Sequence, residues 1–382
     1  MKCTVAQPDL SVALQTALRA VAGHPTLEAL GCVLLEATED GLKVTGTDLS
    51  LTVNVVASAK VERPGKIAVQ ARLLSSFVDT LVPGDCILEV KPAPVTDEGA
   101  AGPPRALLTV TAGAHRSNIH GLPASEYPPL EPEGHEAICS VPPGVLQQMV
   151  AQVQAAVSSD ETSPRSGILV DAKESRLRLV ATDGNRLAMR TLALAEPLAG
   201  ETWVVIPAKH LRTVAQCLRR PGADVEIWVS ASHNAIGFSQ ERLEMASRLL
   251  DGNFPQRYEG IFPKESLATA VLNREELQAA VRTAAVLADG KGEALRLEVG
   301  PECLTVRTVA SEVGDDEAPL PAQTDGEPVQ TAFNPRFLLD ALQQVTTERV
   351  QLALNADNKP TVFTPVGRDD FATVMMPIRT AK

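Results

Sequence analysis

The stretch Ile206-Pro207-Ala208-Lys209-His210-Leu211 decides the fold, because the chain contains two more versions of it. The others are Val69-Gln70-Ala71-Arg72-Leu73-Leu74 and Phe333-Asn334-Pro335-Arg336-Phe337-Leu338. Each version has a short apolar approach, a polar residue or proline, a basic residue and then an apolar run of helical period. The basic residues lie 137 and 127 positions apart. This spacing predicts three divergent copies of a unit of about 130 residues.

Two further repeated features support the three copies. Lys43-Val44-Thr45-Gly46-Thr47-Asp48 and Arg178-Leu179-Val180-Ala181-Thr182-Asp183 both read as a strand that runs into a Thr-Asp turn. The third copy falls near residues 305–311, where the Asp is lost. Tyr127-Pro128-Pro129 and Phe254-Pro255 end the first two copies. We therefore predict three domains, over residues 1–133, 134–262 and 263–382.

Each copy also contains two amphipathic helices separated by short β-branched runs such as Val225-Glu226-Ile227-Trp228-Val229. The apolar positions of the first copy lie on two helix faces, Leu10, Leu14, Leu18 and Val21 on one and Leu73, Leu74, Phe77 and Leu81 on the other. The predicted class is α+β, with two helices packed on antiparallel strands in each copy. The helices are predicted over residues 8–22, 71–81, 143–157, 208–220, 273–288 and 335–345.

Two segments between these elements are predicted to be loops. Residues 92–105 are rich in Pro, Gly and Ala and are expected to bulge between two strands. Residues 312–327 contain six acidic residues, no basic residue and two prolines. Such a composition predicts a solvated, mobile segment.

Composition excludes several classes of protein. Hydrophobic residues make up 44% of the 382 residues, which is enough to bury several cores. No apolar stretch approaches the roughly 18 residues of a membrane span, and the N-terminus reaches Gln7-Pro8-Asp9 without a signal-peptide core. The six cysteines are far apart and form no Cys-x-x-Cys, which predicts reduced thiols in a cytoplasmic protein.

The charge is distributed unevenly. The formal net charge is −12, which argues against a basic surface over the whole protein. The predicted helices carry nine basic and five acidic residues, a net +4, so the rest of the chain carries −16. This asymmetry is expected if the helices face a polyanion. The alternative is that strands and loops simply collected the acidic residues.

No enzyme is expected from the sequence. It lacks a phosphate-binding Gly-x-x-x-x-Gly-Lys-Ser/Thr loop, His-Glu-x-x-His, Gly-x-Ser-x-Gly and Gly-x-Gly-x-x-Gly. Its six His lie at no metal-binding spacing from Cys or carboxylates, so no metal or cofactor is expected. Asp48 and Asp183 could form a carboxylate pair, but their equivalent places in two copies favour turn capping.

The run Ala181-Thr182-Asp183-Gly184-Asn185-Arg186-Leu187-Ala188, together with Val374-Met375-Met376-Pro377-Ile378-Arg379, resembles the bacterial sliding clamp family, the beta subunits of DNA polymerase III. Gly46-Thr47-Asp48-Leu49, Phe254-Pro255 and Phe333-Asn334-Pro335-Arg336-Phe337-Leu338-Leu339-Asp340 occur in the order found in that family. The resemblance covers essentially the whole chain.

The resemblance implies a head-to-tail homodimer whose three-domain subunits close a ring around duplex DNA. It implies no catalysis, and a sequence-independent attraction to phosphates suits a ring that slides. The family often has Arg where this chain has His24, which would weaken that contact and make it pH-dependent. The implied DNA-facing residues are His24, Arg72, Lys209, Arg212, Arg282 and Arg336.

The resemblance also implies a pocket for short peptides of the Gln-Leu-x-Leu-Phe kind. Its partners would be the catalytic subunit of DNA polymerase III, clamp-loader subunits, other polymerases, ligase and mismatch-repair proteins. The pocket residues would be Arg165, Thr182, Gly184, Asn185, Arg186, Leu187, Pro255, Ile261, Pro360, Val374, Met376, Pro377, Ile378 and Arg379.

The chain departs from the family pattern at three places in this pocket. Asn185 stands where the family often has His, and Arg165 stands where an aliphatic residue is expected. One extra residue lies between Phe254 and Pro263. Arg165 is expected to favour an acidic residue in the bound peptide.

For the dimer interface, the resemblance indicates Val286 and Leu287, which would pack on the first domain of the other subunit. Two alternatives to the clamp remain. One is a diverged monomeric scaffold that binds peptides without closing a ring, as His24 and the altered pocket suggest. The other is a hydrolase that uses Asp48 and Asp183.

Overall fold

Strands and helices follow one another in a repeated order along the chain. The computed structural model describes residues 1–91, 106–128, 134–219, 221–252, 254–288, 294–308, 314–356 and 359–378. Each repeat has a strand, a helix, four or five strands, a second helix and three strands within these residues. This order confirms the predicted α+β class and the three tandem copies.

The described residues of the three repeats form 26 strands and six α-helices. The first repeat contains β1 (Lys2–Ala6), α1 (Gln7–Ala17), β2 (Cys32–Thr38), β3 (Gly41–Thr47), β4 (Leu51–Ala57), β5 (Ala59–Arg63), β6 (Gly65–Gln70), α2 (Ala71–Asp79), β7 (Asp85–Lys91), β8 (Ala106–Ala112) and β9 (His115–Leu122). The second contains β10 (His135–Val141), α3 (Pro143–Gln154), β11 (Gly167–Lys173), β12 (Arg176–Thr182), β13 (Arg186–Ala193), β14 (Thr202–Pro207), α4 (Ala208–Cys217), β15 (Val225–Ser230), β16 (Ala235–Gln240) and β17 (Leu243–Arg248). The third contains β18 (Ala268–Asn273), α5 (Arg274–Leu287), β19 (Leu295–Gly300), β20 (Cys303–Thr308), β21 (Glu317–Pro321), β22 (Gln323–Gly326), β23 (Val329–Phe333), α6 (Pro335–Gln344), β24 (Arg349–Leu354), β25 (Thr361–Pro365) and β26 (Phe371–Met375).

The sheets continue from one repeat into the next. The chain forms two compact units, Met1–Gly144 with Thr213–Leu249 and Val145–Arg212 with Leu250–Lys382. In the described part of the first unit, thirteen strands form one antiparallel sheet in the order β10-β15-β16-β17-β4-β3-β2-β6-β9-β8-β7-β1-β5. In the second unit, the order β14-β11-β12-β13-β26-β25-β24-β18-β22 forms one sheet and β21-β20-β19-β23 another.

Successive repeats are joined by the same kind of strand pair. Strand β4 of the first repeat pairs antiparallel with β17 of the second, with Leu51 opposite Ser247. Strand β13 of the second repeat pairs antiparallel with β26 of the third, with Arg186 opposite Met375. Leu51 and Arg186 follow the two Thr-Asp turns at the same distance, so the two junctions are equivalent in register.

The helices lie where the apolar period predicts them, and each ends one to five residues before its predicted end. Leu10 and Leu14 of α1 are fully buried in the core of the first unit. Full burial of a Leu side chain contributes about 1.5–3 kcal/mol, so this face stabilises the helix through packing.

The predicted apolar face of the second helix is wrong at one position. Leu73 is 49% exposed, whereas Leu74 is fully buried. The buried residues of α2 are Ala71, Leu74, Ser75 and Val78, which follow the i, i+3, i+4, i+7 spacing of one helix face. Leu73 precedes Leu74 by one position and therefore points away from that face.

The two Thr-Asp turns are built from the same hydrogen bonds. The Asp48 carboxylate accepts from the amides of Ser50 and Leu51, at 2.8 and 2.7 Å. The Asp183 carboxylate accepts from the amides of Asn185 and Arg186, at 2.9 and 3.0 Å. Turn capping is confirmed as the role of both residues.

The prediction for residues 312–327 is wrong in its second half. Residues 317–321 form β21, which pairs with β20, and residues 323–326 form β22, which pairs with β18. Pro319 and Pro321 concealed the strand from sequence reasoning, because Pro cannot donate to a strand ladder; among the described residues β21 pairs with a neighbouring strand on one side only, a position where Pro is tolerated. The acidic side chains of these edge strands are exposed, so their charges stay in water and do not oppose strand formation. Residues 92–105, the other predicted loop, lie outside the described residues.

The cysteines are free thiols, and Cys3, Cys32 and Cys86 are buried while Cys139, Cys217 and Cys303 are half-buried. Burial raises the pKa of Cys3, Cys32 and Cys139 to about 11. These three thiols are therefore protonated at neutral pH and poor nucleophiles.

No helix in the described part of the chain combines the length and apolar character that crossing a membrane requires. The same residues contain no group of three or more His, Cys, Asp or Glu arranged to hold a metal ion.

Candidate functional site

The turn between β12 and β13 forms the first of three walls of a small groove in the second unit. Thr182 is buried, and its hydroxyl accepts from the Gly184 amide at 3.1 Å and donates to the Arg186 carbonyl at 2.7 Å. Gly184 has φ +97°, a left-handed conformation that favours glycine. The turn is thus rigid, with its backbone close to the groove.

The Arg186 side chain ties this turn to α6. Its Nε donates to Asp183 at 3.0 Å and its Nη1 to Asp340 at 2.7 Å. The guanidinium carbon also lies 4.1 Å from the ring centroid of Phe337. Only 10% of the side chain is exposed. Arg186 is therefore held inside the unit by two carboxylates and an aromatic face, and its charge is already balanced.

The last strand of the third repeat supplies a second wall. Val374 of β26 lies opposite Leu187 of β13, and both are buried. Just beyond the strand, the Met376 amide donates to the Asn185 carbonyl at 2.8 Å. Met376 is 38% exposed, so its flexible apolar side chain is available to a ligand.

The segment Pro255–Ile261 supplies the third wall, and the buried Tyr258 anchors it. The Tyr258 hydroxyl donates to the buried Asp171 carboxylate and accepts from Arg178 Nη1 at 3.2 Å. Its ring stacks on Trp203, with the ring centroids 5.8 Å apart. Burial raises the pKa of the Tyr258 hydroxyl, so it remains a hydrogen-bond donor at neutral pH.

The three walls enclose a groove of about 180 Å³. This is smaller than the roughly 300–1,000 Å³ of small-molecule sites, so it suits single anchoring side chains. Sequence reasoning named all ten lining residues of the groove, which are Arg165, Thr182, Gly184, Asn185, Arg186, Leu187, Pro255, Ile261, Val374 and Met376.

Three other described residues predicted for this pocket, Pro360, Pro377 and Ile378, do not line the groove. The Pro360 carbonyl accepts from the Asn355 side chain at 3.1 Å, before β25 begins. The Ile378 amide donates to Ala332 of β23 at 2.7 Å, so the chain beyond Met376 follows that strand. Pro377 precedes this hydrogen bond, and Arg379 lies outside the described residues.

The predicted DNA-facing residues are all exposed. Arg72, Lys209 and Arg336 are each the second residue of a helix, in α2, α4 and α6, as the repeat requires. Arg212 and Arg282 lie on α4 and α5, and His24 lies in the loop before β2.

The predicted charge asymmetry of the helices is smaller in the structure. Arg19 lies in a 3-10 helix beyond α1, Arg219 lies beyond the end of α4, and Arg220 is not among the described residues. The six helices of the described chain then carry six basic and five acidic residues, a net +1. The prediction of +4 was wrong because it extended the helices past their ends. The equivalent positions of Arg72, Lys209 and Arg336 in three helices therefore say more about a shared role than the net charge of the helices does.

Comparison with known proteins matches all three repeats. Residues 1–131, 140–256 and 259–379 match the N-terminal, central and C-terminal domains of the DNA polymerase III beta subunit. The chain belongs to the DNA polymerase III beta subunit family. It is 31% identical to the beta sliding clamp of Synechococcus elongatus over 99% of both chains, and 28% identical to that of Bacillus subtilis over the full length of both.

Solved structures of the family have the same fold. The DNA polymerase sliding clamp of Bacillus subtilis superposes with a TM-score of 0.90 at 28% identity and full coverage of both chains. The DNA polymerase III subunit beta of Pseudomonas aeruginosa gives 0.88 at 28% identity, covering 99% of this chain and 100% of that one.

Within this beta subunit fold, sequence reasoning missed the residues that hold the groove together. Asp340 and Phe337 are three positions apart on α6, so a helical projection places them on one face. Their partner Arg186 lies 154 positions before Asp340, a separation that no local pattern bridges. The buried pair of Asp171 and Tyr258 also lacked a signal, because a lone Asp within an apolar strand reveals no partner.

Proposed function

We propose that the protein is a DNA polymerase processivity factor, a homodimeric ring that encircles duplex DNA and slides along it. The observation that carries this proposal is the pair of equivalent junctions, β4 with β17 and β13 with β26. At both, an amide at the C-terminal end of the last strand donates across the junction: the Arg248 amide to the Ser50 carbonyl and the Met376 amide to the Asn185 carbonyl, each at 2.8 Å.

The third junction of this kind would join β9 to β21. Strand β9 is the last strand of the first repeat, as β17 and β26 are of the second and third, and β21 holds in the third repeat the place that β4 and β13 hold in the first two. Among the described residues, β21 pairs only with β20, and β9 pairs with β6 only at Gly121 and Leu122. Unpaired strand edges of this length are normally covered. A second copy of the chain supplies the missing strand to each edge, so two copies close six repeats by two-fold symmetry.

The positions of three basic residues support a polyanion as the enclosed ligand. The N-terminus of a helix carries partial positive charge, so a basic residue in the first turn is disfavoured. Arg72, Lys209 and Arg336 nevertheless occupy that turn in three equivalent helices and are exposed. Contacts with DNA phosphates offset this cost. With Arg212, Arg282 and His24 they give a weak, salt-sensitive attraction that is blind to sequence.

The groove in the second unit is the tethering site for partner proteins. Val374, Leu187 and Met376 accept Leu and Phe side chains of a short linear peptide, and the rigid turn at Gly184 aligns its backbone. Its ligands are peptides of the Gln-Leu-x-Leu-Phe kind. They belong to the DNA polymerase III catalytic subunit, clamp-loader subunits, other polymerases, ligase and mismatch-repair proteins.

Small-angle X-ray scattering on the purified chain, recorded over a range of concentrations, tests the ring. One chain has a mass of 40.5 kDa, so the expected particle has twice that mass and an annular distance distribution. A compact particle of 40.5 kDa at all concentrations contradicts the proposal. It would favour a monomeric scaffold that binds peptides without closing a ring.

A further inference from the structure

Arg165 enters the groove from a fixed point of the backbone. Its amide donates to the Ser163 hydroxyl at 3.2 Å, and its carbonyl accepts from the Ser158 amide at 2.9 Å. It lies in the short 3-10 helix Pro164–Ser166, immediately before β11. The starting position of the side chain is therefore defined by the fold.

The Arg165 guanidinium lies against the turn at Gly184. A Cβ atom added to Gly184 would lie 2.9 Å from Nη1 and 3.6 Å from Cζ of Arg165. Glycine at this position thus leaves room for the planar guanidinium beside the groove. Arg165 is exposed, and its guanidinium has no hydrogen-bonding or ionic partner among the described residues.

The charge of Arg165 is the unbalanced one at this site. The groove lining contains two arginines and no carboxylate. Arg186, the other arginine, is paired with both Asp183 and Asp340. A ligand in the groove therefore meets apolar walls and one cation that still has its donors free.

We propose that Arg165 selects partner peptides that carry an acidic side chain next to the apolar residues entering the groove. A guanidinium presents a planar fork of N–H donors that matches a carboxylate, and the bound peptide would shield this pair partly from water. The inference rests on the proposed peptide-binding function and assigns a chemical preference to it.

Fluorescence anisotropy on the full-length protein tests the preference with amidated, fluorescein-labelled peptides. The parent probe is Ser-Gln-Leu-Ser-Leu-Phe-Ser, and each serine is replaced in turn by Asp or by its neutral isostere Asn. At one or more positions the Asp peptide is expected to bind about 3- to 10-fold more tightly than the Asn peptide, the range of a partly shielded ion pair. This ratio should fall as salt is added.

Variants at position 165 connect the ratio to the guanidinium. In Arg165→Leu the ratio of Asp-peptide to Asn-peptide affinity should fall to about one. A change that affects all the peptides equally cancels in this ratio. Arg165→Lys should retain part of the ratio, because it keeps the charge and loses the fork. Arg257→Leu is the matched control: it removes an exposed arginine of the Pro255–Ile261 segment that does not line the groove, and the ratio should persist.

Three outcomes overturn the inference. A wild-type ratio near one at every position, or a ratio that survives Arg165→Leu, removes the role of Arg165 while peptide binding stands. Absence of binding by every peptide refutes the peptide site itself and is distinct from the first two results, since the ratio is read only between peptides that bind.

Discussion

Leu49 adopts a backbone conformation that the equivalent turn assigns to glycine. Leu49 has φ +73° and Gly184 has φ +97°, and each follows a capping Asp. A side chain in this left-handed region costs about 1–2 kcal/mol. The first repeat therefore stores backbone strain at the position where the second repeat has none.

Leu49→Gly should relieve that strain and raise the free energy of unfolding by up to about 1 kcal/mol. The gain is reduced because glycine adds entropy to the unfolded chain. Leu49→Ala keeps the Cβ atom and should give no comparable gain. Urea denaturation of both variants measures the difference, and equal stability of the Gly and Ala proteins would show that the turn is unstrained.

Asp370 is a carboxylate whose charge the fold stabilises. Burial alone raises its pKa, but the hydrogen bonds from Arg368, at 2.6 and 3.1 Å, and from Arg190 outweigh burial and lower it. Because the pKa is lower in the folded state, the charged carboxylate contributes stability above its unfolded pKa of about 3.9. This contribution is lost as the pH falls through the folded pKa.

Asp370→Asn should therefore be less stable than the wild type at pH 7, and the gap should narrow below about pH 4. Thermal unfolding of both proteins at pH 7, 5 and 3.5 measures this gap. Protonation of other carboxylates at acid pH changes the stability of both proteins alike, so the difference in stability between them reports on Asp370. A gap that is constant over this range contradicts the role given to its charge.

Single residues also show what the sequence could and could not predict. The capping role of Asp48 and Asp183 was predictable, because a turn is local and the repeat presents it twice. Tyr258 was not predictable as an anchor, since its partners Asp171 and Arg178 lie 87 and 80 positions away. Local chemistry is read from neighbours in sequence, whereas the groove is assembled from distant segments.

At the scale of elements, the proposed DNA contacts of Arg72 and Arg336 oppose the stability of the helices that carry them. Arg72 and Arg336 face the positive end of their helix dipoles. Arg72→Glu and Arg336→Glu should each raise the free energy of unfolding by about 0.3–1 kcal/mol and weaken DNA binding. Urea denaturation and anisotropy with duplex DNA of arbitrary sequence measure the two effects.

Arg282→Glu is the control that separates the interaction with the helix dipole from the change in net charge, because Arg282 lies in the middle of α5, away from the helix N-terminus. It should give no gain in stability. If Arg72→Glu and Arg336→Glu stabilise the protein and leave DNA affinity unchanged, these two bases are ordinary solvated residues and not DNA contacts.

Elements differ in how well their sequence reveals them. The helices follow from their apolar period, since burial of one face selects that period directly. Strands β21 and β22 were missed because they contain acidic residues, prolines and a glycine, and none of their residues is buried. Such strands are held mainly by backbone pairing with β20 and β18, which an apolar pattern does not report.

At the scale of the whole molecule, closure of the proposed ring requires a surface that a second copy covers. Val286 near the end of α5 is 73% exposed, and Leu287 beside it is half-buried. A single exposed apolar residue is common on protein surfaces, but Val286 lies beside Leu287 at the end of α5, and a second copy of the chain would remove both side chains from water. We expect Val286 and Leu287 to lie in the dimer interface beside the β9 and β21 edges.

The double variant Val286→Asp, Leu287→Asp should dissociate the ring into monomers, because dimerisation would then bury two carboxylates without partners. Sedimentation velocity should report 40.5 kDa in place of twice that mass. Val12→Asp is the matched control, since Val12 is an exposed valine, 57% accessible, in the middle of α1. It should remain dimeric. Circular dichroism must show that the double variant is folded, and a folded double variant that stays dimeric would place the interface elsewhere.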